Sequence, residues 1–430
     1  MSKISRRNFI KLTSSAAIAT SILSFPSISV AATKKVVIIG GGAGGTVAAK
    51  AIRMADPTIE VTLIEINKHY YTGFMSNEVL SGQRQIESIK FNYDGLKKYG
   101  IKMIYGKALD IDPIAKTVKL AAKTINYDRL IVSPGIDFKW GVIAGYDKNA
   151  IDKMPHAWKA GRQTALLRQQ IKAMKNGGTV IISVPERKFP CPLAPYERAS
   201  QIAYYLKQYK PNSKIIILDT NQNFYPRELF IQGWEKFYGF GTENSMIEWI
   251  PLEEGGKVVS VDVEDMSVYA GEFEDEFIGD VINVIPPQRA SEIAFKGGLV
   301  NDEGWCPVNN KTFESGLQKD IYVIGDACDI KMPKSAQITN SQAKVCATAV
   351  VAGLQDKEIS DPTFNSICYG IIAKDYGFAS GNLYKFETGK IKTVKGTEIL
   401  SPLDAKLKDR KSETVAAYRW FEKITGDMFG

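Results

Sequence analysis

The sequence predicts an α/β protein with two Rossmann-like dinucleotide-binding-type domains, the first of them split in sequence, and a C-terminal α+β domain. Three observations carry that prediction. Short β-branched runs recur at Lys34–Ile39, Thr179–Val184 and Lys214–Asp219. The first run leads into a glycine-rich turn and a helix-like stretch. Far downstream, Asp320–Ala327 reads as another strand ending in Gly-Asp. The expected division is 33–144 with 287–357 for the split domain, 145–286 for an insert and 358–430 for the C-terminal domain. Residues 1–32 stand apart as a leader.

That leader has the chemistry of an address. Ser5-Arg6-Arg7-Asn8-Phe9-Ile10-Lys11 is a twin-arginine pattern, Ala16–Phe25 is apolar, and Ser29-Val30-Ala31-Ala32 offers small residues for cleavage. The apolar run falls short of the ~20 residues that cross a bilayer, so export is favoured over a membrane anchor. The expectation is a periplasmic protein, exported folded by the twin-arginine pathway and without a transmembrane segment in the mature chain. Disulfides can persist in that compartment.

Composition removes several classes. With 430 residues and 44% hydrophobic content, the chain can bury more than one core. The basic surplus is +8, and without the four basic residues of the leader it falls to +4, too mild to argue for nucleic acid. The two histidines, His69 and His156, lie near no cysteine in sequence, so no metal centre is expected. Cysteines occur at 191, 306, 328, 346 and 368 with no CxxC pair, which excludes covalent c-type haem in this chain.

After the leader, the strand Lys34–Ile39 runs into Gly40-Gly41-Gly42-Ala43-Gly44-Gly45 and a helix-like stretch from Thr46 to Met54. Gly40, Gly42 and Gly45 satisfy GxGxxG. The first permits a tight turn, the second lets a pyrophosphate approach the backbone, and the third lets helix and strand pack closely. Glycine turns without a ligand are common. Here a second strand, Val61–Glu65, ends in an acid 20 residues past Gly45, where a carboxylate can accept from ribose hydroxyls.

The downstream strand resembles the second FAD contact of flavoproteins with two dinucleotide domains, with Asp326 on the ribityl chain and Gly325 allowing close approach. Asp128–Gly135 resembles the strand and turn at which such chains leave the FAD domain. FAD is therefore the expected cofactor, held by Gly40, Gly42, Ala43, Gly45, Glu65, Gly325 and Asp326. The insert has a strand at Thr179–Val184, a helix at Tyr196–Tyr209 and a strand at Lys214–Asp219. Its first turn reads Pro185-Glu186-Arg187-Lys188-Phe189-Pro190-Cys191-Pro192, whose bulk would block a pyrophosphate; a pyridine nucleotide bound in another way stays open.

Across the mature chain the pattern resembles the flavoprotein subunit of flavocytochrome c sulfide dehydrogenase, a relative of sulfide:quinone reductases in the disulfide-reductase superfamily. The segments that carry the likeness are Cys191–Ala199, Met332–Ser335 through Asn340–Lys344, Ser366–Tyr369 and Trp420–Gly430. The resemblance implies that Cys191 and Cys368, 177 positions apart, form a redox-active disulfide. Hydrosulfide attack on one sulfur would give a persulfide and release the other cysteine as a thiolate. Cys306, Cys328 and Cys346 are read as core packing, with Cys328 of interest because it follows Gly325-Asp326.

Glu197 lies six residues after Cys191. In the resembled family the matching acid moves protons beside the disulfide; an ordinary first-turn glutamate favoured by the helix dipole is the other reading. The helix near Asn340–Val351 is expected to aim its N-terminus at the flavin's pyrimidine end. Tyr418, Trp420 and Phe421 either pack near the flavin or close the C-terminal core. One position departs from the family: Gly73 stands where well-known members have the cysteine that attaches FAD covalently, so noncovalent FAD is expected.

The implied activity is sulfide oxidation to sulfur or polysulfide, with electrons passed to a c-type cytochrome subunit in a heterodimer. Two alternatives are a sulfide:quinone reductase and an accessory flavoprotein acting on sulfur-carrier thiols. The strongly charged run Leu403–Thr414 disfavours membrane docking.

Overall fold

The computed structural model describes residues 33–430, so the twin-arginine leader lies outside the described residues. Five strands form the first sheet, all parallel, in the spatial order Ile321–Val323, Arg129–Val132, Lys35–Ile39, Glu60–Glu65, Lys102–Tyr105. Its outermost strand on one side comes from the far end of the chain, so this sheet closes only after a second one has been built. Val36, Ile38, Leu63, Leu130 and Val323 are fully buried, as expected of a parallel sheet covered on both faces.

The chain leaves Lys35–Ile39 to one side and later returns on the other. A crevice therefore opens at the strand ends between Ile39 and Val132, the position where open α/β sheets bind ligands. Helix α1, Ala43–Ala55, starts at this crevice. It begins three residues earlier than the glycine pattern suggests, because Gly44 and Gly45 belong to its first turn. The packing allows no larger residue: a Cβ on Gly45 would lie 1.8 Å from the Gly40 carbonyl oxygen, and one on Gly40 would lie 2.1 Å from that of Ser133.

The second sheet is also parallel, in the order Ile247–Ile250, Lys214–Asp219, Thr179–Val184, Val281–Val284. Helix α2, Asn77–Ser81, falls in sequence between the strands Glu60–Glu65 and Lys102–Tyr105 of the first sheet; helix α3, Ala194–Tyr209, packs in the core of the second sheet. Helix α4, Ala336–Leu354, lies against α1. It starts four residues before Asn340 because Ser335 caps it, its hydroxyl accepting from the Ile338 amide at 3.3 Å. The C-terminal layer is an antiparallel sheet, Thr363–Ala373, Tyr376–Glu387 and Lys390–Thr393 with Ile399–Leu400, backed by helix α5, Leu407–Phe429. The two most extensive of the apolar cores among the described residues support the two sheets. The first sheet packs with α4 residues and the end of α5, and the second packs with Ile372 and Phe378 of the C-terminal sheet. No helix among the described residues is long and apolar enough to cross a membrane.

The glycine contacts predict a contrast. Gly45→Ala should cost about 1–3 kcal/mol of unfolding free energy by overpacking. Gly426→Ala, in α5 where an added methyl meets nothing within 4 Å, should be neutral or stabilising by about 0.5–1 kcal/mol. Urea unfolding of the two variants, with flavin content measured alongside, checks this.

Candidate active site

A cavity of about 870 Å³ opens at the crevice of the first sheet and runs to the C-terminal sheet. That is the size of a large small-molecule site. One end is lined by the glycine turn and Glu65, the middle by Gly325 and Asp326, and the other end by Cys191, Glu197 and Cys368. Every residue that the sequence assigned to FAD or to the reaction, except Gly45, therefore borders one space, and Gly45 sits behind it holding α1 against the strand.

At the glycine end, Gly40 has φ +101° and makes the turn that glycine favours. Helix α1 follows with Gly42 as its cap, no side chain on its first amides and no acid in its first turn. Those orphan donors and the positive end of the helix dipole suit a pyrophosphate. Glu65 accepts from the Gly41 amide at 2.6 Å through Oε2 and from the Asn67 amide and side chain at 2.8 and 3.2 Å through Oε1. Oε2 keeps capacity for one further donor, as a ribose hydroxyl would provide. In the middle, desolvation raises the pKa of the partly buried Asp326 against the opposing pull of Lys334, and among the described residues no donor reaches its carboxylate. An unpartnered carboxylate facing the cavity suits a chain of hydroxyls. α4 presents Ser335, Ala336 and Gln337 to the same space with no acid in its first turn. On these observations the residues fit FAD along its length.

Gly73 also borders the cavity, and a Cβ there would meet nothing within 4 Å. The position has room for a side chain but offers no nucleophile.

The sulfur end is assembled from distant segments. Cys191 sits in the turn before α3 with φ +52°, a conformation few non-glycine residues adopt. Its amide donates to the Lys334 carbonyl at 2.7 Å, and its carbonyl accepts from Ala194 at 2.9 Å. Cys368 lies in the middle of Thr363–Ala373, opposite Ser380. The two sulfurs are not bonded to one another in the structure. Burial raises the Cys191 thiol well above its ordinary value, reinforced by neighbouring Cys368 and Glu197. Burial pushes Cys368 up to about 11, against a hydrogen bond with Ser335.

Glu197, in the first turn of α3, is more than a dipole partner. Its Oε1 accepts from the Ile371 amide at 3.0 Å and its Oε2 from Asn77 Nδ2 at 2.8 Å. Burial raises its pKa to about 7, with these two hydrogen bonds working in the opposite direction. Arg198 was legible in the sequence only as a member of the segment Cys191–Ala199, and Asn77 was not singled out at all. Asn77 is 120 positions from Glu197, and nothing in local spacing links them. Lys334 is a third such residue. Its ammonium donates to the carbonyls of Asp326 (2.8 Å) and Cys328, and lies 4.2 Å from the centre of the Trp305 ring.

The aromatic set divides. Trp420 borders the cavity and donates to Gln337 Oε1 at 2.8 Å. Phe421 packs against Phe74 and Phe91 with ring centres 5.9 and 6.1 Å away, and Tyr418 donates to Glu78 at 2.6 Å. Cys306, Cys328 and Cys346 are fully buried in the first core and none borders the cavity. The Cys328 thiol donates to the Val323 carbonyl at 2.9 Å.

The second sheet's own crevice is filled by protein. Asp219, at the end of its strand where an acid would hold a ribose, accepts from Tyr196 OH at 2.6 Å, Trp249 Nε1 at 3.0 Å and Asn221 at 2.9 Å. Phe224 stacks on Tyr196 at 3.6 Å between ring centres. A pyridine nucleotide has neither a glycine turn nor a vacant acid there. NADH or NADPH added anaerobically to the FAD-loaded protein should leave the flavin absorption band unchanged over minutes; rapid bleaching would contradict this reading.

Comparison with known proteins agrees with this geometry. Residues 34–169 match a family described as pyridine nucleotide-disulphide oxidoreductase. Residues 164–286 match the central part of the sulfide dehydrogenase [flavocytochrome c] flavoprotein chain, and 360–429 match the flavin-binding part of flavocytochrome c sulphide dehydrogenase. Among solved structures, the fold is similar to the sulfide:quinone oxidoreductase of the hyperthermophilic bacterium Aquifex aeolicus, with TM-score 0.69, 20% identity and 92% of each chain covered. It is also similar to reduced Bacillus anthracis CoADR-RHD, with TM-score 0.59, 16% identity and 90% and 74% of the two chains covered. A third is an NAD-dependent persulfide reductase from A. fulgidus, with TM-score 0.58, 18% identity, covering 81% of this chain and 64% of that one. With the residues that fit FAD and three family matches that together span 34–286 and 360–429, the chain belongs to the family of the flavocytochrome c sulfide dehydrogenase flavoprotein chain, an FAD-dependent oxidoreductase family.

Proposed function

We propose that the protein oxidises sulfide to sulfur or polysulfide through a disulfide between Cys191 and Cys368 and passes the electrons to a c-type cytochrome. One observation carries the reading. Two cysteines 177 positions apart line the same end of the FAD cavity, with a carboxylate of raised pKa beside them. The net change is HS⁻ → S⁰ + H⁺ + 2e⁻. Hydrosulfide attacks one sulfur of the disulfide; an S–S bond forms, the Cys191–Cys368 bond breaks, and the electron pair stays on the freed cysteine as thiolate. FAD, held by the residues that line the cavity, would supply an acceptor for that pair that can release electrons singly to a one-electron acceptor. The outer sulfur then leaves the persulfide as sulfur or, taken by a second hydrosulfide, as polysulfide, and the cysteine it leaves re-forms the Cys191–Cys368 bond as the other cysteine gives up its electron pair.

The chain's own groups manage charge and protons. Burial makes both cysteines strong bases when ionised, so a nearby proton acceptor and donor is needed as sulfur changes charge. Glu197, with a pKa of about 7, can exchange a proton in either direction near neutrality. Lys334 holds the Cys191 turn through its carbonyl.

The acceptor reading rests on chemistry outside the cavity. The chain has no haem-attachment pair of its own, and the twin-arginine pattern at residues 5–11 supports a periplasmic location where c-type cytochromes occur. A quinone is the competing acceptor, favoured by the exposed Leu400, Leu403 and Leu407 near the start of α5. Sulfide should bleach the flavin band of the wild-type protein, and ferric cytochrome c rather than decylubiquinone should restore it. Cys191→Ser and Cys368→Ser should each lose at least a hundredfold in bleaching rate while retaining FAD. Normal turnover in either would overturn the disulfide mechanism.

Gly73 supports noncovalent attachment. Denaturation in trichloroacetic acid should leave the FAD in the supernatant, whereas a yellow protein pellet would show a covalent bond formed elsewhere in the chain.

A further inference from the structure

The second oxygen of Glu197 leads away from the sulfurs to Asn77 in α2. Asn77 Nδ2 donates to Glu197 Oε2 at 2.8 Å and to the Ala194 carbonyl at 3.2 Å, while its Oδ1 accepts from Arg198 Nε at 3.2 Å. Arg198 is 2% exposed. It is held in place by the carbonyls of His156 and Ala157, at 3.1 and 2.7 Å, and by Asn283 Oδ1 at 2.8 Å. A guanidinium only donates, so the amide oxygen of Asn77 must face it. Its NH₂ must then face the carboxylate.

We propose that Asn77 is a positioning residue that fixes the protonation of Glu197, its amide locked in one orientation between the buried Arg198 guanidinium and the carboxylate. This rests on reading Glu197 as the group that handles protons. The amide stabilises the ionised carboxylate by donating to it. Arg198 makes no hydrogen bond to the acid; it polarises the amide that does, in addition to its direct electrostatic pull on Glu197. The other donor is equally fixed: the Ile371 amide reaches Oε1 at 3.0 Å, and the same residue is held again by Gln201 Nε2, which donates to the Ile371 carbonyl at 2.7 Å. With a donor on each oxygen, the acid exchanges its proton through the lone pairs that remain.

Titratable and charged groups face Glu197 from several elements. On its own helix lies Arg198; on α2, Glu78, which is itself held by Arg84 at 2.7 Å and Tyr418 at 2.6 Å; in the preceding turn, Cys191; and across the cavity, Cys368. None of these replaces the Asn77 donor.

The test is an infrared titration of the FAD-loaded protein, following the protonated-carboxyl band that disappears in Glu197→Gln. Asn77→Asp keeps the shape and the acceptor for Arg198 but exchanges the donor for a negative charge. It should move the midpoint of that band upward by at least about one pH unit, and Asn77→Ala upward by a smaller amount. The low-pH limb of sulfide-dependent bleaching should move with it. H₂S itself titrates near neutrality, and Glu197→Gln supplies the profile in which only the substrate's limb remains. An unmoved band in Asn77→Ala, which leaves no charge to refold around, would overturn the proposal, as would a uniform fall in rate at all pH values with both midpoints unchanged. The infrared titration needs no turnover, so a protein that sulfide fails to bleach would refute the function while leaving this test intact.

Discussion

The site depends on one backbone hydrogen bond between segments that share no local sequence relation. The amide of Cys191 donates to the carbonyl of Lys334 at 2.7 Å. It ties the first turn of the second sheet to the residues that immediately precede α4, and so to the cavity's middle, where Gly325 and Asp326 stand. Cys191 adopts φ +52° at that bond. A strained residue of this kind persists only where its surroundings over-determine it. Here a backbone bond on each side of the residue does so.

A second tie closes the opposite wall. Glu197 of α3 accepts from the Ile371 amide, and Gln201, one turn further along the same helix, donates to the Ile371 carbonyl. Together these bonds clamp one residue of the C-terminal sheet, through both its amide and its carbonyl, onto α3. Cys368 is three residues earlier in that strand, so the position of its sulfur follows from a residue that α3 grips. Buried polar bonds cost little when both partners are satisfied and much when one is lost. The same groups that shape the reacting end therefore also hold the C-terminal layer in place.

The fold is fitted to one dinucleotide rather than two. Both sheets end in an acid at the second strand, Glu65 in the first and Asp219 in the second. Glu65 keeps an open lone pair at a cavity, while Asp219 is saturated by Tyr196, Trp249 and Asn221 beneath a stacked Phe224. The proline-rich turn between Thr179–Val184 and α3 then delivers a cysteine in place of a phosphate-binding loop. The difference is side-chain volume and hydrogen-bond saturation, not topology.

Sequence alone determined the parallel strands, the glycine turn, the acid at Glu65 and the Gly-Asp at 325–326, because these depend on alternation, bulk and φ within a few residues of one another. It also marked Cys191, Cys368 and Glu197, through a likeness to a family. It could not decide that Asn77 and Arg198 govern Glu197, that Trp420 reaches the cavity while Phe421 does not, or that the second crevice is plugged. Those outcomes were decided by tertiary structure, since each is a contact between residues far apart in the chain, and such contacts leave no periodicity or spacing for a linear reading to detect.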